Sequence, residues 1–236
     1  MNHRKIGENT LKNILLTLSI LAMLLISFSA PVSAQTGISP AIIDVEANAE
    51  ILSVNASLTP EEVNTLLYMR EEEKLARDVY LAMYDIWGLQ LFKNIARAEQ
   101  THTDAVKTLI DRYGIADNFT AEYGVFINPD LQALYVQLVA QGSKSLGDAI
   151  KVGAAIEEID IIDLKESLAE TDKADITRVY QNLLRGSYNH LRAFVSTLAR
   201  QTGEVYAPQY METEAYSEIV PATTPTGNMG RRGRRN

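Results

Sequence analysis

The chain has 236 residues, no cysteine, a formal charge of −8 and a hydrophobic fraction of 46%. Without thiols it offers no disulfide, thiolate ligand, haem-attachment motif or iron–sulfur cluster, so any metal must be held by oxygen and nitrogen. The first 34 residues carry +2 and Arg231, Arg232, Arg234 and Arg235 another +4, leaving −14 on residues 35–230, a body too acidic for a nucleic-acid partner.

Arg4, Lys5 and Lys12 precede an apolar run from Ile14 to Ile26, and Val32-Ser33-Ala34 closes it with small residues. This is the pattern of a secretory signal peptide cleaved after Ala34; the run is shorter than the roughly 18 to 20 residues that span a membrane, so a retained anchor is the lesser alternative. The expected product is secreted or extracytoplasmic. Residues 35–57 read as a flexible lead-in, 58–203 as one helical domain, 204–220 as an aromatic strap over it, and 221–236 as a disordered basic tail suited to an anionic membrane surface.

Thr59-Pro60-Glu61-Glu62 supplies an N-cap hydroxyl, a proline for the first turn and the Glu of a capping box, which starts a long helix that Gly88 ends. Its stripe of Leu66, Met69, Ala76, Tyr80, Met83 and Trp87 passes through Glu73; Glu71 and Glu72 are rivals that periodicity alone does not separate. A second helix, roughly Leu91 to Tyr113, has Phe92, Ile95, Ala96, Val106 and Leu109 on one face, with Glu99 and His102 in the same stripe. About 30 residues follow, including Gly124, Asn128-Pro129 and a short helix near Leu131 to Ala140. That length suits a crossover which leaves the second and third long helices parallel. The third runs from about Ser145 to Ala169 with Glu157 and Asp160 on or beside its apolar face. Thr171 is the expected N-cap of the fourth, whose stripe of Ile176, Val179, Leu183, Phe194 and Leu198 runs through Ser187 and His190 before Gly203. The expected fold is all-α, an antiparallel four-helix bundle with one long crossover between helices two and three.

Unpaired carboxylates in such a core cost several kcal/mol each. Either cations tie Glu73, Glu99, Glu157 and Asp160 to His102 and His190, or inward-pointing Arg77, Arg97, Arg185 and Arg192 neutralise them. Glu99-x-x-His102 places a carboxylate and an imidazole on one helix face, the metal motif of di-iron bundles.

The run Glu73-Lys-Leu-Ala76-Arg-Asp-Val79-Tyr80-Leu81-Ala-Met83 resembles the first metal-binding helix of ferritins, and Glu73-x-x-Ala76-Arg77-x-x-Tyr80 that of rubrerythrins. Residues 59–203, with Ser187-Tyr-Asn-His190-Leu-Arg-Ala-Phe194 in the last helix, are also similar to an uncharacterised ferritin-like family catalogued as a domain of unknown function. The resemblance selects Glu73 over Glu72 and implies a ferritin-like fold. It further implies a pair of iron ions, or manganese in their place. Glu73, Glu99 and His102 would hold one, Glu157, His190 and Asp160 the other, and Glu99 and Glu157 would bridge. Tyr80 and Tyr180 are the implied electron or hydrogen-bond donors.

Ser187 departs from the pattern, since it stands where a fourth-helix Glu belongs. Asp160, Glu158 or water would then complete the site, or one metal alone would bind tightly. The implied activity is oxidation of Fe(II) or reduction of peroxide or O₂, with an electron donor outside the chain and a monomer or homodimer as the assembly. The rival is a non-enzymatic metal-binding or surface interaction bundle with a degenerate site.

Overall fold

The computed structural model describes residues 58–221; the expected leader, lead-in and arginine tail lie outside the described residues. Those described form six helices and no strand: α1 (Pro60–Trp87), α2 (Gln90–Arg112), α3 (Pro129–Gly142), α4 (Leu146–Glu170), α5 (Ala174–Thr202) and the short α6 (Thr213–Ile219). The ends of α1 follow from local chemistry. Thr59 Oγ1 accepts the Glu62 amide while the Glu62 carboxylate accepts the Thr59 amide at 2.9 Å, and Gly88 closes the helix at φ 65°, a conformation that favours glycine.

Only two residues join α1 to α2, so the pair is an antiparallel hairpin. Contacts fix the other directions. Thr171 and Gly153 of the α4 neighbourhood meet Glu62 and Tyr80, so α4 runs against α1. Asp175 and His190 meet Tyr113 and Glu99, so α5 runs against α2. It follows that α2 and α4 are parallel, and the segment holding α3 carries the chain back along the length of the helices.

The start of α5 differs from the sequence expectation. Lys173, not Thr171, occupies the N-cap position and caps with no side chain. The Thr171 hydroxyl instead donates to Glu62 Oε1 at 2.6 Å and accepts the Lys173 amide at 3.2 Å, tying the α4–α5 connection to the start of α1. The crossover is tied to α1 by buried charge: Lys74 Nζ donates to Asp78 at 2.7 Å and to the carbonyls of Glu122 and Val125 at 2.8 and 3.0 Å. Glu71 accepts the amides of Ile127 and Asn128 at 2.7 and 2.9 Å.

Two apolar clusters fill the interior. One gathers Tyr80, Met83, Phe92, Ile95, Phe194 and Leu198, with Tyr80 and Phe194 ring centroids 5.2 Å apart. The other gathers Leu66, Met69, Val106, Leu109, Ile176, Tyr180 and Leu183. On α1, α2 and α5 the residues between the two clusters include Glu73, Glu99, His102, Ser187 and His190.

After α5 the chain folds back over α4, gathered by one carboxylate. Glu158, fully buried, accepts the Tyr206 hydroxyl at 2.6 Å and the amides of Gln209, Tyr210 and Met211 at 3.0, 2.7 and 2.8 Å. Glu158→Ala strands those donors and is expected to cost on the order of 3 kcal/mol. Thermal denaturation checks the magnitude, and amide exchange should rise first at residues 206–211.

Candidate metal centre

The three consecutive glutamates of α1 point along three different directions, because successive helical residues are rotated by about 100°. Glu71 faces the crossover loop, Glu72 faces Asp163 of α4, and Glu73 faces α2. All three are buried. Sequence periodicity could not choose among them because each has its own buried partner.

Glu73 Oε2 lies 3.1 Å from His102 Nδ1, which lies 2.7 Å from Glu99 Oε2. The other oxygen of Glu99 is 2.8 Å from His190 Nδ1, which in turn is 3.5 Å from Glu157 Oε2. Two ligand-type triads therefore share Glu99: Glu73, Glu99 and His102, and Glu99, Glu157 and His190. Within each, one potential ligand atom from every residue lies within 4.8 Å of the others. The three carboxylates are each 2% exposed, and the imidazole rings stand stacked with centroids 5.8 Å apart.

The remaining residues singled out from sequence divide. Tyr80 donates to Glu157 Oε1 at 2.6 Å and belongs to the centre. Asp160 is buried beside it, receives the Ser187 hydroxyl, and is close enough to Glu73, Glu99 and Glu157 for their charges to bear on it. Tyr180 is not brought to the centre. It lies in the lower apolar cluster with its hydroxyl unpartnered, and the charges that reach it are those of Glu62 and Glu72. Glu158, a substitute for the missing fourth-helix Glu, is committed instead to residues 206–211.

The arginines do not neutralise the site. Arg77 binds Asp78 and Gln100, Arg185 binds Asn182, Arg192 binds the Ile219 carbonyl and Asn189, and Arg97 is exposed. Protons do so in the ion-free protein. Burial opposes the charge on His102, but Glu73 and Glu99 overcome it and push the imidazole up to about 12; Glu157 and Glu99 likewise push His190 up to about 10. Burial tends to raise Glu99 too, yet the two imidazoles hold it well below the usual carboxylate range. Glu73 and Glu157 are raised chiefly by burial, and Asp160 is pushed up to about 8 by burial and by Glu157.

Gly186 was invisible to the motif reading. A Cβ there would sit 2.7 Å from Cε1 and Nε2 of His102, so the missing side chain gives the ring its place. The signal was available: glycine in the middle of a 29-residue helix costs about 1 kcal/mol and calls for a packing reason.

Comparison with known proteins places the chain. The model of the family described as an uncharacterized protein domain, DUF2202, matches residues 62–223. The chain belongs to this family. It is 52% identical over 171 residues to the uncharacterized protein MJ0754 of Methanocaldococcus jannaschii, covering 72% of this chain and 92% of that protein. The crystal structure of that hypothetical protein is similar at a TM-score of 0.68 over 71% of this chain and 95% of the other. The DUF2202 match begins at Glu62, within the capping box of α1, and runs through all six helices, so the five converging residues lie inside it.

Raised imidazole and carboxyl values set the pH dependence of the ion-free DUF2202 domain. A group whose folded value lies above its unfolded one keeps a proton in the folded state that the unfolded chain has released. The stability it contributes is complete below the unfolded value, 6.5 for each His and 3.8 for Asp160, and is lost as pH rises through the folded one. Urea unfolding of chelator-treated protein should therefore show stability falling as pH rises from about 5 to about 10. Glu99→Gln should bring both imidazole titrations, followed by NMR, down toward 6.5.

Proposed function

We propose that this is an exported, ferritin-like di-metal carboxylate protein that oxidises Fe(II) or reduces peroxide or O₂. The observation that supports it best is the pair of triads on four helices hinged on one shared carboxylate. Helix directions add to it, since parallel α2 and α4 joined by a long connection are the arrangement of ferritin-like bundles. Export rests on the sequence of the first 34 residues. Among the described residues no helix is long and apolar enough to cross a membrane.

The donor set fits a pair of hard cations. Glu73 Oε1, Glu99 Oε1, Asp160 Oδ1 and His190 Nδ1 are buried with no hydrogen-bond partner, the His190–Glu99 approach being close but off-axis. Such atoms are costly unless something else engages them. Carboxylates with two imidazoles suit iron or manganese. Glu73, Glu99 and His102 would hold one ion and Glu99, Glu157 and His190 the other, with Asp160 beside them. When bound, the ions supply the electrons and the Lewis acidity for O₂ or peroxide chemistry.

The chain's own residues set the terms. Tyr80 holds the Glu157 carboxyl in orientation through its hydroxyl, as Ser187 holds Asp160. The apolar cluster of Tyr80, Phe92 and Phe194 shields one side of the polar layer from water. His102 and His190 must release protons before they can act as ligands, which couples loading to pH.

Ser187 supports the second reading, a metal-binding bundle without turnover. Its short side chain spends itself on Asp160 and on the Leu183 carbonyl, so α5 contributes one ligand where a Glu would have made two.

Elemental analysis of protein purified without chelators should find about two metal equivalents, and stopped-flow absorbance on mixing the Fe(II)-loaded protein with O₂ or peroxide should show a transient ferric band. Tight metal without that transient favours the second reading; no metal removes both. Because Glu99 serves both triads, Glu99→Ala should abolish tight loading altogether, while Glu73→Ala should leave about one equivalent. Apparent metal affinity should rise with pH between about 6 and 8, with protons released to the buffer on loading, as calorimetry in buffers of different ionisation enthalpy would record.

A further inference from the structure

Acids on α4 continue beyond the centre. Glu157, Asp160, Asp163, Glu166 and Glu170 follow one another at three- and four-residue intervals; each step of three turns about 60° short of a full rotation, so the row winds from the core side of α4 toward its surface. Their exposure grades outward: Glu157 is 2% exposed, Asp160 and Asp163 6%, Glu166 is half-buried and Glu170 open to water. The outer three line a cleft of about 180 Å³ between α1 and α4, completed by Asn64, Thr65, Tyr68 and Ser167. This is room enough for several waters or a hydrated ion.

At the inner end of the cleft Asp163 faces Glu72 across the helix interface, carboxyl to carboxyl. Glu72 Oε2, both oxygens of Asp163 and the Tyr68 hydroxyl are buried, and apart from a proton that the two carboxyls can share between them none has a hydrogen-bond partner. Among the described residues no lysine or arginine forms an ion pair with Glu72, Asp160, Asp163 or Glu166. Two facing buried carboxyls with empty lone pairs need a shared proton or a cation. Charge neighbours run onward from Glu72 to Asp160 and from Asp160 to Glu73, so the pair stands between the cleft and the centre.

We propose that Glu72 and Asp163 form a divalent-cation site, distinct from the centre, at which ions entering by the α1–α4 cleft are held before they pass inward. The binding half of this statement stands alone; the passage inward rests on the metal-binding reading of the centre. Oxygen-only donors and a wet mouth suit hard ions such as Mn(II) or Fe(II). An acidic cleft with low-dielectric walls also raises the local concentration of cations and the rate at which they arrive.

The test uses the full chain and Mn(II), read by electron paramagnetic resonance of the free ion. In Glu99→Gln, which lacks the shared ligand of the centre, about one weaker Mn(II) equivalent should remain, and adding Asp163→Asn should remove it. No Mn(II) in Glu99→Gln, or the same amount with and without Asp163→Asn, overturns the site. In the otherwise unaltered protein Asp163→Asn should slow filling of the centre at least about tenfold at unchanged final occupancy; a rate within about twofold of the parent overturns the route. Full wild-type binding in both Glu73→Gln and Glu99→Gln would instead defeat the centre and leave the Glu72–Asp163 site standing. Glu72→Gln repeats each arm from α1. Anomalous scattering from Mn(II)-soaked crystals of the unaltered protein needs no variant, and density at the pair or its absence decides.

Discussion

Placing negative charge in a helical core is tolerable only where something answers it, and here the answer is built around the Glu99 carboxylate. One oxygen meets His102 and the other His190, so a single side chain on α2 couples α1 and α4 through the imidazoles of α2 and α5. With the upper apolar cluster on one side and the lower on the other, the carboxylates of Glu73, Glu99 and Glu157 cannot draw on bulk water, and only the imidazoles reach toward the surface. The smaller features are consequences of that demand. Gly186 yields space to an imidazole, Tyr80 orients Glu157, and Ser187 occupies Asp160.

Away from this layer the same economy recurs, with single buried carboxylates organising whole segments of irregular chain. Glu71 and Asp78 gather the backbone amides of the crossover, and Glu158 gathers the segment that returns over α4. A loop that cannot form regular secondary structure must still satisfy its amides where it is buried. An ionised acceptor with several lone pairs does so for two or three of them at once.

How much of this could be read beforehand depended on whether the signal was local. The four long helices were legible because apolar stripes, the Thr59 box, Gly88 and Gly203 are local features. Glu99 and His102 were legible for the same reason, three residues apart in one stripe. Glu73 was not separable from its neighbours by period, because all three glutamates are buried, each against a different part of the fold. Tyr180 was misjudged since its place in the stripe says that it is inside but not at which level. Thr171 was misread as the N-cap because the acceptor of its hydroxyl, Glu62, lies more than a hundred residues away in sequence. The cleft between α1 and α4 had no signature in either helix alone; only their apposition brings Asp163 to Glu72.

The triplet Glu71-Glu72-Glu73 has one more implication. With three adjacent side chains each seated in a separate socket, α1 has no freedom to turn about its axis or slide by one position, since any such slip would unseat all three together. A one-residue insertion or deletion in the first half of this helix would therefore be unusually damaging. The helix thus acts as a keyed shaft, and its evolutionary variation should be confined to substitutions.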